Sequence, residues 1–228
     1  MKVCLRSLAE SKLHEMTLIK VCGITRSQDA QMALDLNVDF LGFILHEQSS
    51  RFVSIPTSLS LRNSLELGKA KSVAVQVNPT PKELENTRNA GFDFFQLHFN
   101  PFADRRRISD WSRIVGKDRL WLAPRLNAES TIPEDIFSFA NTILVDGYSK
   151  DRYGGTGKVA DWSSFNQCQK MNPEIRWMLA GGLGPQNIRQ AIQQASPAGV
   201  DLNSGIEESP GIKSRIKLKE TIQTISKI

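Results

Sequence analysis

Apolar residues in this chain gather in short runs of about four to six, and the segments between them place apolar residues at helical spacing. Short apolar runs bounded by turn residues suit strands that are buried on both faces of a parallel sheet. The pattern predicts strands at Leu18–Val21, Phe40–Ile44, Ser72–Val77, Phe94–Leu97, Leu120–Ala123, Thr142–Val145, Trp177–Ala180 and Gly199–Leu202. Between and after them it predicts helices at Ser27–Leu36, Ser58–Leu67, Pro81–Ala90, Asp110–Val115, Pro133–Ala140, Ser163–Lys170, Pro185–Gln194 and Ile212–Lys227. Thr80-Pro81-Lys82-Glu83 reads as an N-cap followed by proline in the first helical turn, and Gly91 closes the same helix. In the seventh helix Ile188, Ala191, Ile192 and Ala195 form one apolar face.

A strand followed by a helix, eight times over in 228 residues, predicts the α/β class and a single (β/α)8 TIM barrel spanning residues 18–228. The alternative, an open doubly wound sheet, would carry a Gly-x-Gly-x-x-Gly turn after the first strand, which is absent here. Residues 1–17 read as a short N-terminal extension, with Leu5, Leu8 and Leu13 at loosely helical intervals.

Composition narrows the class. With 40% hydrophobic and 23% charged residues the chain is of the soluble globular kind, and no stretch approaches the roughly 18 apolar residues of a membrane span. Arg6, Glu10, Lys12 and Glu15 interrupt what would be the apolar core of a secretory signal. Cys4, Cys22 and Cys168 are odd in number and far apart, which excludes a disulfide framework or a zinc motif and points to a reducing, cytoplasmic setting. The net charge of +5 raises a nucleic-acid reading, but Arg105-Arg106-Arg107 is the one dense basic run and no aromatic stacking motif accompanies it. No nucleic-acid or membrane partner is expected. A basic balance also favours an anionic substrate.

In a barrel of this kind the chemistry lies at the carboxyl ends of the strands. Strand one ends in Cys22, strand two leads to His46, Glu47 and Arg51, strand four ends in His98 and strand six in Asp146. Strand seven ends in Gly181-Gly182, and strand eight reaches Asp201, Asn203, Ser204 and Gly205. Two small-residue loops in the seventh and eighth positions predict a phosphate site, because backbone N–H groups and a serine hydroxyl close on phosphate oxygens there. A free cysteine packs as a small hydrophobe more often than it reacts, so Cys22 alone leaves both readings open. Asp146, directly after Ile143-Leu144-Val145, is poorly explained by packing. The Arg51 guanidinium suits a carboxylate bidentately. Gly154-Gly155-Thr156-Gly157 reads as a mobile loop able to fold over a ligand.

These residues also carry a resemblance. Lys20-Val21-Cys22-Gly23-Ile24-Thr25, Gln96-Leu97-His98, Gly154-Gly155-Thr156-Gly157, Ala180-Gly181-Gly182-Leu183 and Ser204-Gly205-Ile206-Glu207 stand in the order seen in phosphoribosylanthranilate isomerases of tryptophan biosynthesis. Ser209-Pro210-Gly211-Ile212-Lys213 is similar to that family as well. The resemblance implies a (β/α)8 barrel that works without cofactor or metal on a small phosphorylated substrate, as a monomer or homodimer. The implied reaction is an Amadori rearrangement of N-(5-phosphoribosyl)anthranilate to 1-(2-carboxyphenylamino)-1-deoxyribulose 5-phosphate. It implies Cys22 as general base, Asp146 as general acid, and Arg51 on the anthranilate carboxylate. His98 and Asp201 are expected to bind substrate, and Gly181, Gly182, Ser204 and Gly205 to grip phosphate. The thiol is expected to have its pKa lowered by positive charge or by N–H groups of the loop after Gly23. The chain departs from the family in Phe99-Asn100-Pro101-Phe102 after His98, in Ala123-Pro124-Arg125 after strand five, and in Asn203 before Ser204. A related phosphosugar isomerase and a non-catalytic phosphosugar-binding barrel remain as alternatives.

Overall fold

Strand β1 (Leu18–Val21) pairs in parallel with both β2 (Phe40–Ile44) and β8 (Gly199–Leu202), and that double pairing closes the sheet into a barrel. This is a computed structural model, and it describes residues 17–102, 105–126, 132–146 and 162–228. Around the ring follow β3 (Lys71–Val77), β4 (Phe94–Phe99), β5 (Leu120–Pro124), β6 (Thr142–Val145) and β7 (Arg176–Leu179), each parallel to its neighbours. The α-helices of the described residues are α1 (Ser27–Leu34), α2 (Ile55–Asn63), α3 (Pro81–Asn89), α4 (Arg105–Val115), α5 (Trp162–Met171), α6 (Ile188–Ala195) and α7 (Arg215–Ile225). The (β/α)8 expectation holds. Residues 1–16 of the expected 1–17 extension and the Gly154-Gly155-Thr156-Gly157 loop lie outside the described residues.

The apolar strand runs have a reason to be continuous. Residues facing outward, such as Val21, Leu41, Phe95, Leu122, Trp177 and Val200, join the helices in one large core. Inward-facing residues of alternate positions, among them Phe40, Val73, Trp121, Leu144 and Met178, pack a second core inside the barrel, and Cys22 sits on it. Both faces of each strand are therefore buried, as a parallel sheet requires. Inside that apolar filling lies one fully buried lysine, Lys20, which the alternation along β1 directs inward beside Gly42.

Several helices differ from expectation. α2 begins at Ile55 instead of Ser58, because the Ser54 side chain accepts from the Thr57 N–H and Pro56 fits the first turn. α4 starts at Arg105, well before Asp110, and buries Ile108, Trp111 and Val115 along one face. The fifth unit carries a 3₁₀ turn, Glu134–Ser138, in place of an α-helix. α7 starts at Arg215 because Ile212–Lys213 (β10) pairs antiparallel with Glu207–Ser209 (β9) in a small hairpin after β8. That hairpin is tied to the loop after β1, where Thr25 Oγ1 donates to the Gly211 carbonyl at 2.6 Å and buried Asp29 accepts from the Lys213 N–H at 3.2 Å.

Candidate active site

The carboxyl ends of the strands line a cavity open to solvent, with about 690 Å³ of empty space counted out to its mouth. Cys22, Arg51, His98, Asp146, Gly181, Gly182, Asp201 and Ser204 all line it, so the residues singled out along 180 positions of sequence meet in one place. Gly205 packs directly behind, and His46, Ser49, Gln96 and Asn203 complete the polar lining.

Cys22 closes β1 and is 3% exposed. Its backbone N–H donates to the Leu202 carbonyl at 2.8 Å, which locks the thiol at the junction of β1 and β8. Space for it comes from Gly42, where a Cβ would stand 2.8 Å from the thiol sulfur and 2.9 Å from Lys20 Cε. The electrostatics correct one expectation. Burial pushes the Cys22 thiol above its ordinary value and the Asp201 carboxylate pushes it further, while Lys20 and Lys213 only partly oppose them. The loop after Gly23 gives no compensating donor from Ile24, whose N–H is committed to the Gly42 carbonyl at 3.0 Å. The free site therefore holds Cys22 as the thiol.

Beneath the thiol lies a buried polar row. Lys20 Nζ donates to Asp201 Oδ2 at 2.9 Å and to Gln96 Oε1 at 2.7 Å, and the Gln96 amide meets His98 Nε2 at 2.9 Å. Burial alone would lower the Lys20 ammonium, but Asp201 beside it wins and raises it, so the lysine is charged. The second Asp201 oxygen, Oδ1, is buried without a hydrogen-bond partner among the described residues. A buried carboxylate oxygen left in that state is an acceptor waiting for a donor.

Arg51 enters from the loop after β2. Its Nε donates to Glu207 Oε1 at 2.9 Å and its Nη2 to Oε2 at 2.6 Å, a fork closed on a buried carboxylate. Glu207 also accepts from Lys213 Nζ at 2.8 Å and from the Gly211 N–H at 3.1 Å. Burial alone would raise the Glu207 carboxyl, but the Arg51 fork and the Lys213 ammonium outweigh it and hold it below the ordinary carboxylate range. Arg51 is thus not free to surround a ligand; one edge is committed, and Nη1 remains, 3.5 Å from Ser50 Oγ. Gly23, at φ 73°, admits this arrangement, since a Cβ there would lie 2.9 Å from Arg51 Cδ and 2.8 Å from Asn203 Oδ1.

The loops after β7 and β8 touch backbone to backbone. A Cβ on Gly205 would collide with the Leu183 carbonyl, and one on Gly184 with the Gly205 carbonyl. Asn187 braces the first loop, accepting from the Gly184 N–H at 2.9 Å and donating to the Gly182 carbonyl at 3.1 Å. That engagement also explains why α6 begins at Ile188 and not at Pro185: the asparagine side chain holds the loop in place of capping the helix. Among the described residues no backbone acceptor takes the N–H groups of Gly181, Gly182, Ser204 or Gly205. Ser204 Oγ is likewise buried without a partner there. Free N–H groups and a free hydroxyl converging from two loops make an anion cradle.

Asp146 is half-buried at the end of β6, across the mouth from Cys22 and separated from it by β7 and β8. Sequence reasoning missed Lys20, Gln96, Gly42, Asn187, Glu207 and Lys213 as parts of the site. Glu207 and Lys213 were legible only as members of short motifs, and Gly42 gave no signal. Among the described residues no group of three or more His, Cys, Asp or Glu side chains is placed to hold a metal ion.

Comparison with known proteins adds the following. The family model described as N-(5'phosphoribosyl)anthranilate (PRA) isomerase matches residues 19–224. An N-(5'-phosphoribosyl)anthranilate isomerase of Synechococcus sp. is 34% identical over 212 residues, covering 92% of this chain and 96% of that protein. One from Aquifex aeolicus is 32% identical over 209 residues, covering 91% and 98%. Among solved structures, phosphoribosyl anthranilate isomerase from Thermus thermophilus superposes with a TM-score of 0.77 at 26% identity, covering 92% of this chain and 99% of that one. A phosphoribosyl anthranilate isomerase in complex with reduced 1-(o-carboxyphenylamino)-1-deoxyribulose 5-phosphate superposes with a TM-score of 0.72 at 25% identity, covering 93% and 100%.

Proposed function

The chain belongs to the N-(5'-phosphoribosyl)anthranilate isomerase family, and from that premise we propose how its residues divide the work of the rearrangement. The reading is carried by one observation. Cys22 and Asp146 face the same cavity whose wall is the cradle of N–H groups and the Ser204 hydroxyl that have no partner among the described residues. A phosphosugar held by its phosphate at Gly181, Gly182, Ser204 and Gly205 lies between an acid and a base.

Asp146 gives a proton to the furanose oxygen, and the bond from that oxygen to C1 breaks as the anthranilate nitrogen forms a Schiff base. The electron-poor C=N bond acidifies the C2 hydrogen. Cys22, as the thiolate, removes it, and the electron pair left at C2 neutralises the nitrogen to give an enolamine. Tautomerisation then yields the ketone. Asp201 Oδ1 accepts from a sugar hydroxyl, satisfying the orphaned oxygen. The Nη1 edge of Arg51 takes the anthranilate carboxylate, with Glu207 and Lys213 holding the guanidinium. His98 binds the sugar from the end of β4.

The protein acts as a monomer or homodimer in the cytoplasm, without nucleic-acid or membrane partners; no helix of the described residues is long and apolar enough to cross a membrane. The test is loss of anthranilate fluorescence when purified protein is given phosphoribosylanthranilate. Turnover supports the assignment, and tight binding without turnover would make the chain a phosphosugar-binding barrel.

A further inference from the structure

Four side chains from three strands stand in single file beneath the cavity: Asp201, Lys20, Gln96 and His98. The chemistry of this row allows one arrangement of protons. The Lys20 ammonium only donates, so the Gln96 amide must face it with its oxygen, at 2.7 Å. The amide NH₂ is then turned to His98, 2.9 Å away. An NH₂ group also only donates, so His98 Nε2 must be a bare lone pair. The proton of the neutral imidazole is left on Nδ1. Lys20 is 0% and Gln96 2% exposed, so water does not compete for these contacts. Asp201, on the far side, keeps the lysine charged and in place.

His98 Nδ1 makes no hydrogen bond to the described residues, and the ring lines the cavity. We propose that Lys20, acting through Gln96, fixes His98 as the Nδ1–H tautomer and so presents a neutral hydrogen-bond donor to an acceptor oxygen of the bound phosphosugar. Lys20 and Gln96 are positioning residues for His98 in this account; Lys20 also stands within hydrogen-bond reach of the Cys22 thiol. His98 is a specificity residue that favours an oxygen without a proton of its own to give. Protonation of His98 would put two donors face to face at the Gln96 contact, and burial together with Lys20 and His46 opposes it. The donation to substrate rests on the isomerase reading, whereas the tautomer is a property of the free protein.

Two experiments test the proposal separately. The chain has only three histidines, so protein labelled with ¹⁵N at histidine gives a readable imidazole spectrum at pH 7. Two-bond nitrogen–proton couplings should show His98 with a protonated Nδ1 and a bare Nε2. In Gln96→Leu the Nε2–H form should gain at least a tenfold share. An Nε2–H tautomer or an imidazolium in the unaltered protein overturns the proposal even if the isomerase turns over normally, as does an unchanged tautomer in folded Gln96→Leu. The second experiment asks which nitrogen meets the substrate. The amide NH₂ of asparagine falls near the place of Nδ1, and that of glutamine near Nε2. His98→Asn should keep KM for phosphoribosylanthranilate within about threefold, while His98→Gln raises it about tenfold. The reverse order overturns the assignment of Nδ1 as donor.

Discussion

Arg51 meets Glu207 edge-on, with Nε at 2.9 Å from Oε1 and Nη2 at 2.6 Å from Oε2, although 156 residues of chain separate them. The guanidinium is held by a carboxylate that is itself held by Lys213 and the Gly211 N–H. A grip on the substrate carboxylate made this way depends on residues that never touch the substrate. Glu207→Gln should therefore raise KM for phosphoribosylanthranilate about tenfold or more with a smaller change in kcat. It also leaves Lys213 and Arg51 without their counter-charge, so urea unfolding should show a loss of about 3 kcal/mol. An unchanged KM would remove Arg51 from the carboxylate.

The same pair has a pH signature. Glu207 is held below the ordinary carboxylate range by Arg51 and Lys213, against its burial. As the pH falls, the unfolded chain takes up this proton before the folded one. The contribution of the pair is complete above about pH 4.3 and is lost as the pH drops through the depressed value. Stability of Glu207→Gln, followed by urea unfolding, should lack that acid limb.

His98 works in the opposite sense to a stabilising histidine. Burial foremost, then Lys20 and His46, lower it to about 4. Between about pH 6.5 and 4 the unfolded chain binds the proton and the folded chain does not, so stability declines as the pH falls through that window. Moving from pH 7.5 to pH 5 should cost about 2 kcal/mol in the natural chain and much less in His98→Asn. Parallel urea titrations of both proteins check it.

Burial and Asp201 raise the Cys22 thiol, so the thiolate is a minor form at neutral pH. Alkylation of Cys22 by iodoacetamide, followed by peptide-resolved mass spectrometry, should be slow at pH 7 and still accelerating at pH 9. The rate constant kcat/KM should rise over the same interval. A plateau below pH 8 in both would mean that the resting site stabilises the thiolate.

At the phosphate cradle the prediction rests on backbone contact. A Cβ on Gly205 meets the Leu183 and Gly182 carbonyls, which cannot rotate away as a side chain would. Gly205→Ala should raise KM about tenfold and reduce stability by about 1–3 kcal/mol. Inorganic phosphate, as a competitive inhibitor, should weaken in parallel with the substrate.

The strands were legible because a parallel barrel buries both faces of each one. β1, β2, β6 and β8 begin and end where their apolar runs do. The mouth residues followed, since position at a strand's carboxyl end is itself a functional address. What stayed hidden depends on partners distant in sequence. Lys20 looks like one polar residue in a strand, and only its contact with Asp201, 181 residues on, shows that it is buried and charged. Asn187 falls inside the helix expected from Pro185, yet its side chain serves the Gly182–Gly184 loop. β10 is two residues long and was absorbed into the helix pattern that follows it. The lowered pKa expected for Cys22 failed because burial, and after it the Asp201 carboxylate, outweigh the positive charges around the thiol.

The central claim is that Cys22 and Asp146 act as base and acid on one sugar. Its most direct test is kcat for phosphoribosylanthranilate in Cys22→Ala and in Asp146→Asn, with circular dichroism confirming each fold. Each variant should lose about a thousandfold in kcat, the scale of a general acid or base removed, while phosphate still binds. A Cys22→Ala protein that turned over within a few-fold of the unaltered chain would contradict the account.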